Sequence, residues 1–142
     1  MSPSKRLKPV QRFARSKEQN AARSMGQARK NLELEEAKLK QLKQYHQEYL
    51  DRFQQIASEG MTATQLQEYR TFLAKLDEAI TQQQQVVASS MVDHNSHKDN
   101  WKQKHSRTEA LNKVLGRYRD QEKKVADRRE QKENDDHNQR NK

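Results

Sequence analysis

The chain has 142 residues and a net charge of +9, yet only 30% of it is apolar while 35% is charged. A compact globule is closer to half apolar, so an ordinary single-core domain is ruled out, leaving disorder or long helices that share a narrow seam. The lack of Cys removes disulfides, thiolate metal sites and Cys nucleophiles, and no apolar run approaches the ~20 residues of a membrane span.

The start, "MSPSKRLKPVQRFARSK", is basic, contains Ser and is free of acids. It has the composition of a transit peptide, but a helical pattern begins inside it. Residues 1–30 carry nine Lys/Arg and one acid, residues 31–97 six and ten, and residues 98–142 fourteen and nine. Both ends are therefore basic and the middle is acidic.

A first helix is expected over about 8–58. Its 3–4 alternation runs Ala14, Glu18, Ala21, Met25, Ala28, Leu32, Glu35, Leu39, Leu42, His46, Tyr49, Phe53, Ile56, interrupted only by Glu18, Glu35 and His46. "ASEGMTATQ", residues 57–65, breaks it. Gly60 suits a position just past a helix end, and Thr62 with Gln65, or Thr64 with Gln67, has capping-box spacing. A turn is thus expected at about 59–62, and a second helix over about 63–128. That helix carries the same period from Leu66, Tyr69, Leu73 and Leu76 to Leu115, Tyr118, Glu122 and Val125. Its middle is polar, with Gln83, Ser90, His94, His97, Lys104 and Thr108 in seam positions.

A 3.5-residue period sustained this long means coiled coil rather than disorder. A short turn folds the two segments back antiparallel, so the fold class is all-α, an antiparallel two-helix coiled-coil hairpin. Paired residues should have numbers summing to about 122, so that Tyr49 meets Leu73 and Ala21 meets Trp101. The Leu, Tyr, Phe and Ile near the tip should form the more stable half, and the polar middle should hold weakly. Residues 131–142, with no seam side chains, are expected to be a disordered tail.

Enzymatic motifs are missing: there is no P-loop, no Gly-rich fingerprint and no Ser-His-acid arrangement, and a two-helix hairpin has no enclosed pocket. Asp93, His94 and His97 share a helix face, but two His without a third strong ligand make a poor metal site. They read as polar seam positions. No catalytic residue, metal or cofactor is assigned. The basic ends could bind nucleic acid; against that, acids interrupt the second cluster and neither cluster shows the aromatic interleaving of a base-stacking platform.

One feature departs from a plain coiled coil. With Leu39 as a and Leu42 as d, Tyr45 occupies g; with Leu66 as a and Tyr69 as d, so do Phe72, Ala79 and Val86. The g positions usually carry charge. In an antiparallel pair the two g rows share one flank, which places Tyr45 between Phe72 and Ala79 and makes that flank apolar and aromatic. Such a surface either docks a partner or laps over the seam to broaden the core.

"LKQLKQYHQEYLDRF" at 39–53, "LQEYRTFLAKLDEAI" at 66–80 and "WKQKHSRTEALNKVL" at 101–115 resemble FliJ, a small coiled-coil component of the bacterial flagellar type III export apparatus. The Y-x-x-x-Y of Tyr45 and Tyr49 and the Y-x-x-F-x-x-x-L of Tyr69, Phe72 and Leu76 carry the likeness, which covers roughly residues 5–125. The resemblance implies a non-enzymatic stalk and adaptor between the hexameric export ATPase and the cytoplasmic domain of the export-gate protein FlhA, which also escorts export chaperones. It implies a gate-binding surface of Leu42, Tyr45, Tyr49, Phe72, Leu76 and Ala79. It turns the end bearing both termini toward the ATPase ring, where Arg12, Arg15, Arg117, Arg119, Lys123 and Lys124 are the candidates for contact. The place implied is the cytoplasm, peripheral to the inner face of the cell membrane at the flagellar base. The stalk of a virulence injectisome and a generic homodimeric scaffold are the other readings in play.

Overall fold

In a computed structural model, which describes residues 1–141, the chain is an all-α hairpin. Among the described residues it has two helices, α1 (Pro3–Glu59) and α2 (Ala63–Arg140), packed against each other. Ser2 caps α1: its carbonyl accepts from the Arg6 N–H at 3.1 Å and its Oγ from the Lys5 N–H at 3.4 Å. Pro3 follows at the first helical position, where its missing N–H costs nothing. α1 therefore starts ahead of the expected residue 8 and runs through Pro9.

The turn is built by two residues. Gly60 takes φ of 110°, open to a residue without Cβ. Thr62 then makes a reciprocal capping box: Gln65 N–H donates to Thr62 Oγ1 and Thr62 N–H to Gln65 Oε1, both at 3.1 Å. Of the two candidate boxes, the structure forms this one.

Two units make up the hairpin. One is the central segment Ser24–Lys98; the other joins Met1–Arg23 to the chain from Asp99 onward. Within each, most cross-helix partners keep the expected register, while Glu35 with Gln83 and Ser4 with Glu122 are offset from it by about one turn. Tyr49 with Phe72, Phe53 with Tyr69, His46 with Asp77 and Glu35 with Gln83 lie in the first. Gln11 with Asn112, Glu18 with His105 and Ser4 with Glu122 lie in the second. Every expected seam residue is buried or half-buried except Val125, which is exposed. That exception follows from the register: counting back from Ser4 opposite Glu122, α1 has no residue left to cover position 125.

Burial is deepest at small side chains. Ala14, Ala21 and Ala28, seven apart on α1, are buried, as are Ser90, Thr108 and Leu115 on α2. Two helices readily enclose an alanine, whose small Cβ lets the backbones approach, whereas of the larger apolar seam residues only Leu115 is buried. The large residues near the tip are accordingly only half-buried.

The expected tail differs too. α2 continues to Arg140 with every side chain beyond Glu122 exposed. Intrahelical hydrogen bonds need no seam, and Glu, Gln, Lys and Arg are good helix formers. Lys142, the end of that expected tail, lies outside the described residues. No helix among them is long and apolar enough to cross a membrane.

Candidate functional site

The polar residues in the seam settle its geometry first. Glu18 accepts His105 Nδ1 at 2.6 Å, and His105 Nε2 lies 3.2 Å from Glu109. Gln83 Nε2 donates to Glu35 Oε2 at 2.6 Å and to the Glu35 carbonyl at 3.0 Å. His46 Nε2 sits 2.9 Å from Asp77. Ser4 Oγ donates to Glu122 Oε2 at 2.6 Å and Ser4 N–H to Glu122 Oε1 at 3.1 Å. Glu18, Glu35, His46, Gln83 and Glu122, which break the apolar stripe, thus pair across it, whereas His97 and Thr108 bond within α2, and among the described residues no buried side-chain polar atom lacks a partner. These bonds also hold Glu18, Glu35 and Glu122 below the usual carboxylate range, the hydrogen bond being the main cause in each. His105 is raised, chiefly by its bond to Glu18.

In the central unit, the aromatics form a ladder. Tyr45 stacks on Tyr49 at 5.7 Å between ring centroids, and Tyr49 packs on Phe72 at 4.3 Å. Tyr49 is a half-buried seam residue, so it fixes the two outer rings, which stay 48% and 37% exposed at Tyr45 and Phe72. A surface groove lies between them, lined by Lys38, Gln41, Leu42, Tyr45, Phe72, Leu76 and Gln83. Four of the six residues named for a gate-binding surface line this groove, and Tyr49 backs it. Ala79 is half-buried and does not line it. The rings therefore lap over the seam and present surface at once: the inner faces broaden the core while roughly half of Tyr45 faces solvent.

In the unit holding both termini, Arg12, Arg15, Arg117, Arg119, Lys123 and Lys124 are all exposed. None is in an ion pair among the described residues. The structure adds something the seam pattern passes over. Phe13 is 62% exposed, with the Lys17 ammonium 4.7 Å from its ring centroid. Beside it is a small notch of about 70 Å³ lined by Val10, Phe13, Ala14, Lys17, Lys104 and Arg107. The first basic cluster therefore holds one aromatic, Phe13, which falls short of the interleaving of a base-stacking platform. The signal was Phe13 itself, an aromatic in "QRFARSK" one position off the seam residue Ala14. Lys104 and Arg107 could be assigned only once the register was in hand.

Two comparisons with known proteins agree. The family model described as flagellar FliJ protein matches residues 3–142. The flagellar FliJ protein of Escherichia coli (strain K12) is 28% identical over 104 residues, covering 73% of this chain and 71% of that protein. No solved structure matches the chain.

Proposed function

The chain belongs to the flagellar FliJ protein family, and from that premise we propose that it acts in the flagellar export apparatus as a stalk and adaptor between the export ATPase and the export gate. Of the secretion systems left open by the sequence, the family match is to the flagellar one. The observation that carries the finer reading is the aromatic ladder: two outer rings locked by a third, over a groove flanked by Leu42 and Leu76. Rigid, half-exposed aromatics are the side chains that dominate binding energy at interfaces. The groove is the docking surface for the cytoplasmic domain of FlhA.

The exposed, unpaired cations of the other unit are the contact with the ATPase ring, with charge steering the encounter. Export chaperones bind the same adaptor during delivery. Held by these partners, the protein works at the inner face of the cell membrane without inserting into it.

The test is a paired substitution. Tyr45→Ala with Phe72→Ala should weaken binding to the soluble gate domain by about tenfold or more, since interface hot spots each contribute upward of ~1–2 kcal/mol, while circular dichroism stays near wild type. Collapse of helicity would instead assign both rings to the core and end the docking reading. A variant that binds the gate domain as wild type does would end it as well.

A further inference from the structure

The Phe13 notch is the strongest unassigned surface. Three cations reach it, Lys17 from α1 and Lys104 and Arg107 from α2, and no acid lines it. Residues 1–23 carry seven Lys/Arg and a single acid, Glu18. That acid is turned into the seam by its 2.6 Å bond to His105, so it does not neutralise the notch. Positive charge is therefore left unbalanced around an exposed Phe13 and a partly exposed Val10. Neither apolar residue is needed by the seam, where Ala14 does the packing.

Size selects the occupant. At about 70 Å³ the notch is far below the ~300–1,000 Å³ of small-molecule sites. It has room for about two waters, the scale of a carboxylate and not of a stacked base. A single exposed ring is also a poor platform for successive bases. A bilayer-binding helix needs a continuous apolar face, and here that face of α1 is taken by α2.

We propose that this notch receives an Asp or Glu side chain from an acidic segment of a partner protein, with Phe13 covering the aliphatic surface beside that carboxylate. The inference rests on the reading that this unit contacts the export ATPase, and it names Phe13, Lys17 and Arg107 as the anchor of that contact. Phe13 supplies the desolvated centre and the cations supply charge-assisted hydrogen bonds.

The experiment measures affinity of the full-length chain for the purified export ATPase at low and physiological salt, for wild type, Phe13→Ala, Lys17→Glu with Arg107→Glu, and Leu34→Ala. Leu34 is an equally exposed apolar residue outside the notch, at 56%. Phe13→Ala should weaken binding by about tenfold at both salts. The charge reversal should weaken it further and flatten the salt dependence, and Leu34→Ala should match wild type. All four should keep wild-type helicity. If wild type binds and Phe13→Ala binds equally well, the notch is idle and the ATPase reading stands without it. If wild type does not bind the ATPase, both fall. Phe13-dependent binding of a dT oligonucleotide or of anionic phosphatidylserine vesicles, at affinity above that for the ATPase, overturns the assignment to an acidic protein segment.

Discussion

The bond between Glu18 and His105 shows how a polar pair can serve a narrow seam. His105 stacks on Trp101 with ring centroids 5.0 Å apart and faces Glu18 across the helices and Glu109 along its own, with Arg15 near Glu18. The hydrogen bond raises the imidazole pKa against the opposing loss of hydration, with Glu109 adding to the rise. The same bond lowers that of Glu18. A raised imidazole stabilises the fold fully below its unfolded value of about 6.5, and that contribution is lost as pH climbs through the folded value. A lowered carboxylate stabilises above its unfolded value of about 4.3 and loses this as pH falls through the folded one. The pair is thus strongest between about pH 4.5 and 6.5. The melting temperature should drop as pH rises from about 6 to 8.5, and His105→Gln, which keeps a donor but does not titrate, should flatten that slope. An unchanged slope in the variant would show that titration of His105 contributes nothing to the pH dependence of stability.

Along α1, the alanines matter more than the leucines for close approach. Ala14, Ala21 and Ala28 recur every seven residues and are buried to 4–6% exposure, which fits a seam in which one helix offers small residues to the other's larger ones. Ala21→Leu should therefore overpack it and cost about 1–3 kcal/mol, visible as a lower denaturant midpoint. Leu34→Ala, on an exposed position, should stay within about 0.5 kcal/mol of wild type. A neutral Ala21→Leu would mean the helices separate there without penalty. The element ends obey a separate logic. Gly60 and the Thr62–Gln65 box terminate and restart helix through backbone conformation and capping, whereas the far end of α2 persists beyond its partner because nothing in "EQKENDDHNQ" breaks a helix.

Taken together, the chain distributes its two proposed contacts between its two units: the aromatic groove in Ser24–Lys98, the cations and the Phe13 notch in the unit with both termini. If one chain must engage ATPase and gate together, variants defective in either contact should fail to complement each other. Cells co-expressing Tyr45→Ala/Phe72→Ala with Arg12→Glu/Arg15→Glu should remain non-motile in a soft-agar assay. Restored swimming would show that the contacts act on separate molecules and would remove the adaptor role.

Much of this was legible from the amino acids alone. The hairpin, its turn and its seam follow from spacing, because helical period and capping are local properties of the backbone that side-chain order reports directly. The aromatic flank followed as well, since heptad position tells which residues share a face. What only the folded pair decided lies across the helices. Tyr49 bridging Tyr45 to Phe72, the partners of Glu18, Glu35 and Glu122, and a notch closed by Lys104 and Arg107 each join residues far apart in sequence. Their chemistry depends on rotamers and ångström-level register, which a repeating pattern of apolar positions does not encode.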